Sequence, residues 1–260
     1  MNRIGFITAG IVCLVILGVL FAVAPGIMGR NITLLAIMVL AVAVLVAIGF
    51  TIGSSIKKKH DSSFRETLGG LDLEFASFYN ILYAFGMHRD LPISFKYSRV
   101  AKSDFAPMLP GASSLMVLCR VKVPETENLK LHLAVFPGNR SGAARSLLGW
   151  LNPGPGLYLH TVKDQSEEEA RSIFSRLSIG TLDKMKKLAD RAASCGVSTD
   201  WETVMIGRDN ALKLLGGDEK ALSCLDLQVK IPLGTTREGL VPFLDEIAEA
   251  ALSISKDLRR

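Results

Sequence analysis

The first 56 residues constrain this chain most, because their only charged side chains are Arg3 and Arg30. Residues 4–24 form an uncharged apolar run, and residues 32–56 form a second run whose polar residues are all threonines and serines. A helix of about 20 residues spans the hydrocarbon core of a bilayer. Each run is long enough, so the sequence predicts two transmembrane helices.

The segment between the two runs predicts how they are joined and oriented. Residues 25–31 contain proline, glycines and one arginine, so the two helices are expected to return as an antiparallel hairpin. Basic residues follow the second run directly, and positive charge concentrates on the cytoplasmic side of membranes. We therefore expect a two-pass protein of the plasma (inner) membrane, with both termini and the large domain in the cytoplasm. The expected membrane-interface residues are Lys57, Lys58, Lys59 and Arg65.

A cleaved secretory signal is the alternative interpretation of the first run. Arg3 precedes the apolar stretch, and Ala22 and Ala24 have the spacing of a cleavage site. The run is longer than a signal core of about 7–15 residues, and Pro25 would follow the cut directly. These features favour an anchor over a signal.

Small residues recur at four-residue spacing within both runs, which lets helix backbones approach closely in a lipid environment. Such pairs either pack the hairpin against itself or contact other subunits. No charged residue lies inside either run, which argues against an ion or proton path there. The predicted helix-packing residues are Gly5, Ala9, Gly18, Ala22, Ala43, Ala47, Gly49 and Gly53.

The charge distribution argues against a nucleic-acid partner. The whole chain carries 30 basic and 25 acidic residues, for a formal net charge of +5. Arg3, Arg30 and the lysines at 57–59 account for that excess, so the rest of the chain is neutral. Positive charge at a membrane edge meets lipid headgroups, and no nucleic acid is expected as a partner.

Residues 57–70 are interpreted as a basic juxtamembrane neck and residues 71–260 as one cytoplasmic domain. Blocks of strands with few helices between them predict an α+β fold, with a mixed or antiparallel sheet covered by helices on one face. In residues 225–231 polar and apolar side chains alternate, which predicts a sheet with one face in water. Strands are expected at 93–100, 115–123, 129–136, 157–162, 201–206, 211–215 and 225–231. Helices are expected from about Asp72, at 143–151, from Ser166 to Gly196 with a kink or a split allowed at Gly180, and after Thr235.

The strongest local candidate for a site is the turn between Gly138 and Arg145, where a strand end meets a helix start. Free backbone N–H groups and two guanidinium groups there can hold a phosphate or carboxylate. An ordinary capped turn with a solvated basic surface explains the same residues. The candidate anion-binding residues are Gly138, Arg140, Ser141 and Arg145.

No cofactor or metal ion is expected from the cysteine and histidine spacing. The four cysteines are scattered singly without a C-x-x-C pair. His132 and His160 lie in predicted strands and can meet in space, and with Cys119 nearby they would form a nucleophile–base pair. A surface or hydrogen-bonded sheet histidine is the simpler explanation of each. Residues 167–169 are three glutamates that suit the start of a helix, where they complement its dipole.

These features favour a membrane-anchored cytoplasmic interaction or scaffold module, a non-catalytic subunit or accessory protein of a membrane assembly. Its expected partners are the lipid bilayer and either other membrane subunits or further copies of itself. The alternative is a membrane-tethered enzyme or anion-binding domain that acts on a phosphorylated or acyl substrate at the turn between Gly138 and Arg145.

Overall fold

The computed structural model describes residues 58–79, 81–97, 116–136, 151–162, 164–192, 194–199 and 206–259, together with residues 42, 43, 46, 47, 51, 54 and 55. The chain divides into two compact units, Met1–Ser62 and Ser63–Arg260. Every described residue of the first unit is helical.

The predicted fold class includes an N-terminal transmembrane hairpin, and this part of the prediction is wrong. Among the described residues, no helix combines the length and the apolar character needed to cross a membrane. Residues 4–24 and most of residues 32–56 lie outside the described residues, and the helical residues of the second run are described singly or in pairs. The α+β character of the domain is confirmed.

The second unit is built on one nine-stranded sheet in which neighbouring strands run antiparallel. The order of strands across the sheet is β1-β2-β3-β4-β9-β8-β5-β7-β6. The strands are β1 Leu73–Phe78, β2 Ile81–His88, β3 Leu91–Tyr97, β4 Met116–Lys122, β5 His132–Val135, β6 Leu151–Gly154, β7 Leu157–His160, β8 Cys195–Thr199 and β9 Leu225–Pro232.

Helices pack on both faces of the sheet. They are α1 Glu167–Ser175, α2 Ile179–Arg191, α3 Arg208–Leu214 and α4 Arg237–Leu258, and a short 3₁₀ turn follows α3 at Lys220–Ser223. Ser166 caps α1 as its sequence spacing predicted, because its hydroxyl accepts a hydrogen bond from the Glu169 N–H at 3.1 Å. The helix predicted from Ser166 to Gly196 is split in two, as allowed for at Gly180, and the second helix begins after its cap Ser178. Its predicted end is wrong, because α2 ends at Arg191 and Gly196 lies in β8.

Two other predicted elements are wrong for local reasons. The helix expected from Asp72 is instead the β1–β2 hairpin, whose turn includes Tyr79 at a φ of 48°. The strand expected at 211–215 is helix α3, which presents Ala211 and Leu214 to an apolar cluster. Short apolar runs fit either a strand or a buried helix, and packing decides between them.

One face of the sheet, the helices α1, α2 and α4, and the segment that carries Phe64 and Leu68 enclose the main hydrophobic core. Alternate side chains of the central strands point to this face, as in the buried series Leu225, Leu227, Val229 and Ile231 of β9. The apolar stripe of α4 packs against them, as the sequence predicted, and α1 and α2 contribute the remaining layer. The opposite face carries the polar residues of β3, β4, β8 and β9.

Candidate functional site

The polar sheet face is the most unusual feature of the described structure. We define it as Lys96, Arg120, Lys122, Ser198, Asp226 and Gln228. Strand pairing places these residues side by side, because Arg120 lies opposite Gln228 while Lys122 and Ser198 flank Asp226 on its two neighbouring strands. The six residues therefore form one polar patch across four strands.

This patch is buried, so the prediction that this face of β9 is in water is wrong. Asp226 is 1% exposed, and the three basic side chains are each no more than 7% exposed. Lysine, arginine and aspartate are almost never buried to this degree unless they are paired. A neighbouring part of the same face is covered by α3, where Tyr83 and Phe85 pack with Ala211 and Leu214.

An ion pair joins two strands within the polar sheet face. Lys122 Nζ lies 3.0 Å from Asp226 Oδ1, and the two side chains are 7% and 1% exposed. Because both side chains are almost completely buried, the attraction between the two charges must offset the free-energy cost of removing both from water. Gln228 Nε2 also donates to Ser198 Oγ at 2.6 Å, which ties β9 to β8.

A small cavity of about 10 Å³ opens at the border between the polar sheet face and α3. Its described polar lining comes from three neighbouring strands, and its apolar lining comes from α3 and the residue that follows it. The lining residues are Ser94, Arg120, Lys122, Asp226, Ala211, Leu214 and Leu215.

The structure brings together the two histidines that were expected to be able to meet. His132 and His160 lie directly opposite each other on β5 and β7, with ring centroids 5.6 Å apart in a T-shaped arrangement. Burial, and secondarily the positive charge of His160, lowers the pKa of His132 from 6.5 to about 4. His132 is therefore neutral at pH 7.

This titration makes stability depend on pH in a defined window. Since the unfolded state takes up the His132 proton near pH 6.5 and the folded state only near pH 4, stability is expected to fall as pH decreases between these values and to level off below. The expected loss is about 3 kcal/mol. Chemical denaturation at closely spaced pH values measures it, and His132→Asn should flatten this window. A window of equal depth in His132→Asn would contradict the assignment.

The three cysteines in the described part of the chain do not complete a nucleophile–base pair with these histidines. Cys119 is fully buried in the hydrophobic core, on the sheet face opposite to His132, and burial raises its pKa far above the usual range. Burial also raises the pKa of Cys195 to about 12 and raises that of Cys224. All three are free thiols that stay protonated at neutral pH. Within the described ranges, no group of three or more His, Cys, Asp or Glu side chains is arranged to hold a metal ion.

The predicted anion-binding turn lies outside the described residues, and so does Lys57. Lys58 and Lys59 are exposed helical residues of the first unit. Arg65 is an exposed residue of the second unit whose guanidinium lies 4.8 Å from the ring centroid of Phe75. Of the eight predicted helix-packing residues, Ala43 and Ala47 are described and helical, and the other six lie outside the described residues. The four predicted anion-binding residues, Gly138, Arg140, Ser141 and Arg145, also lie outside them.

Sequence reasoning missed the polar sheet face, although a signal for it was present. Lys96, Arg120 and Lys122 each lie inside a predicted strand between strongly apolar neighbours, and Asp226 and Gln228 alternate in the same way. Alternation alone describes a polar face without stating whether water or protein covers it. The basic residues of β3 and β4 could have been grouped with Asp226 and Gln228 of β9 only once the strand order was known.

Comparison of the chain with protein-family models, with curated proteins and with solved structures found no match. Function is therefore inferred from the residues and the geometry of this chain alone.

Proposed function

We propose that this chain is a non-catalytic interaction subunit of a membrane assembly, and that a partner docks by adding a strand to β1. The observation that carries this proposal is the difference between the two edges of the sheet. Strands β1 and β6 are the two edge strands of the sheet, and they differ in length, composition and regularity of pairing.

Strand β1 lacks the features that usually prevent an edge strand from pairing. Among the described residues it pairs only with β2, through six residues in unbroken register. An edge strand presents a row of backbone N–H and C=O groups, and proteins normally protect such edges with lysines, prolines, bulges or very short strands. Strand β1 has no lysine and no proline, and Glu74 is its only charged residue.

The opposite edge has several of these protections. Strand β6 has only four residues, it contains Pro153, and its pairing with β7 is irregular between Leu151 and Gly154. Proline cannot donate a hydrogen bond to an added strand, and a bulge twists the edge away from a partner. The contrast favours β1 as the edge that is kept open for binding.

The side chains of β1 suit a partner strand with alternating apolar residues. Leu73, Phe75 and Phe78 are half-buried, whereas Glu74 and Ser77 are exposed. Strand addition combines main-chain hydrogen bonds, which give affinity, with contacts to alternate side chains, which give specificity. A partner strand beside β1 would cover the exposed flanks of Leu73 and Phe75.

Composition supports a membrane location for this subunit. Residues 1–56 contain only Arg3 and Arg30 as charged residues, and lysines at 57–59 follow them. An apolar segment of this kind is more stable in a lipid environment than in water. The lysines that follow it favour a cytoplasmic location for the domain that comes next in the sequence.

The expected result is that Ser77→Lys abolishes or strongly reduces assembly, because a lysine on an open edge opposes strand addition. The full-length chain is extracted from membranes with mild detergent and its mass is measured by native mass spectrometry. Ser172→Lys, the same substitution at an exposed position of α1, should leave the assembly intact. A wild-type chain that is monomeric, or a Ser77→Lys assembly of wild-type mass, contradicts strand addition at β1. Recovery of the wild-type chain without membranes contradicts the proposed location.

A further inference from the structure

We propose that the strand added to β1 is β1 of a second copy of this chain, an assignment of the partner that rests on the proposed function. The two copies pair antiparallel about a two-fold axis, so that their nine-stranded sheets join into one. Two features of β1 favour this partner: the backbone groups that it presents at the open edge, and the side-chain pairs that two-fold symmetry creates.

Alternate residues of β1 present their backbone N–H and C=O groups to the open edge. Strand β1 meets β2 across a two-residue turn that follows Phe78. The pair that closes such a turn exchanges both backbone hydrogen bonds, and bonded and non-bonded pairs alternate from there. Leu73, Phe75 and Ser77 therefore direct their backbone groups away from β2. In agreement, the Leu73 N–H donates to the Leu71 carbonyl at 3.0 Å.

Two-fold symmetry restricts how two β1 strands can pair. The axis is perpendicular to the sheet and side chains alternate between its faces, so one residue of β1 must lie directly opposite its own copy. Glu74 at the axis would place two carboxylates against each other, which destabilises a strand pair. Ala76 at the axis would place Glu74 opposite Phe78, a charge against a half-buried aromatic ring. Phe75 at the axis avoids both contacts and pairs residues 73–77 of the two strands, whereas an axis nearer either end of β1 would pair fewer residues.

The backbone groups at the two open edges meet when Phe75 lies at the axis. Each Phe75 N–H then donates to the partner's Phe75 carbonyl, and each Ser77 N–H donates to the partner's Leu73 carbonyl. The Leu73 N–H, which is bonded to Leu71 within its own chain, falls at the end of this ladder. The only charged side chain of β1, Glu74, lies opposite the partner's Ala76, so no like charges face each other.

The same register places two aromatic rings opposite each other. The half-buried ring of Phe75 contacts Phe64 in a T-shaped arrangement, with centroids 6.1 Å apart, and the Arg65 guanidinium lies 4.8 Å from its centroid. Directly opposite residues of antiparallel strands have Cβ atoms about 4.5–5.5 Å apart, and aromatic pairs at such positions stabilise a sheet. The partner's Phe75 would therefore cover part of the exposed flank of this ring.

The opposite edge of the sheet limits the assembly to two copies. Pairing two β1 strands uses the open edge of both chains. Strand β6 contains Pro153 and pairs irregularly with β7, so it offers no second edge of this kind. The contact is isologous and closes on itself, which predicts a dimer and not a fibre.

Native mass spectrometry of the full-length wild-type chain in mild detergent tests the identity of the partner without any variant. The expected mass is twice 28.1 kDa. A complex of one copy with a different protein would overturn the second copy as partner and would leave strand addition at β1 in place. A monomer would overturn both.

Disulfide crosslinking tests the register. Glu74 faces the partner's Ala76 in a non-bonded pair, whose Cα atoms are about 4.5 Å apart, within the range that a disulfide spans. Chains carrying Glu74→Cys and chains carrying Ala76→Cys should therefore crosslink under mild oxidation when they are co-expressed. Either variant alone places its two cysteines on a diagonal of about 7–8 Å, too far apart for a disulfide. Cys13→Ser is introduced in every chain, and the three cysteines in the described ranges are buried.

A matched control separates this contact from random collision. Co-expression of Glu74→Cys with Ser172→Cys, at an exposed position of α1, should give no crosslinked dimer. Crosslinking of Ala76→Cys alone to the same extent as the mixture would overturn the pairing about Phe75. So would the absence of a crosslink in a mixture that has the mass of a dimer.

Discussion

Replacing Asp226 by asparagine is expected to lower the free energy of unfolding by about 3–5 kcal/mol. The asparagine side chain nearly preserves the shape of the carboxylate but removes its charge, which leaves the Lys122 ammonium buried without the ion pair at 3.0 Å. A buried charge that loses its counterion is far more destabilising than the loss of a surface salt bridge. Chemical denaturation of the full-length chain at pH 7 measures the difference.

Two variants separate the ion pair from other causes of this loss. Asp209→Asn makes the same change at an exposed position of α3, and its effect should stay within about 0.5 kcal/mol. Lys122→Met combined with Asp226→Leu replaces both charges by apolar groups of similar volume and should recover most of the stability. A loss below about 1 kcal/mol in Asp226→Asn would show that the pair does not contribute as its burial implies.

The sequence predicted those elements in which one periodicity continues over a long stretch. The alternation of residues 225–231 and the apolar stripe after Thr235 both correspond to elements of the structure, β9 and α4. Each has a clear beginning and a single period, so local sequence and tertiary packing favour the same structure.

Prediction failed where local patterns were ambiguous or where burial depends on distant residues. Aromatic residues at 75, 78, 79 and 83 fit a helical spacing as well as a hairpin, and the turn at Tyr79 carries no glycine or proline to mark it. The burial of Asp226 requires β9 to lie between two strands whose paired residues, Ser198 and Lys122, are about 30 and 100 residues away in sequence. No local pattern contains that information, and the alternation of residues 225–231 alone predicts a sheet face in water.

The His132–His160 pair lies between these two cases. Both residues lie in predicted strands, so the sequence allows them to meet. Direct pairing of β5 with β7 brings them opposite each other, but only the strand order shows that Cys119 lies on the other face. Sequence reasoning could therefore propose the contact but not the neighbours that determine its chemistry.

Replacing Asp257 by alanine is expected to lower the free energy of unfolding by roughly 3–4 kcal/mol. This carboxylate near the end of α4 accepts three hydrogen bonds at the start of α2, and its side chain is buried. Its Oδ2 accepts from the Ser178 N–H at 2.8 Å, from the Ser178 hydroxyl at 2.7 Å and from the Thr181 hydroxyl at 2.6 Å. It also lies at the positive end of the α2 dipole, so alanine removes three hydrogen bonds and one charge–dipole interaction together.

The size of the loss in related variants distinguishes hydrogen bonding from charge. Asp257→Asn keeps an acceptor oxygen but no charge, so we expect it to lose about half as much stability as the alanine variant. Asp190→Ala, at an exposed position of α2, should change stability by no more than about 0.5 kcal/mol. Equal losses in Asp257→Ala and Asp190→Ala would mean that the hydrogen bonds of Asp257 do not stabilise the packing of α2 on α4. A larger loss in Asp257→Ala would show that one carboxylate joins the start of one helix to the end of another across 79 residues of sequence.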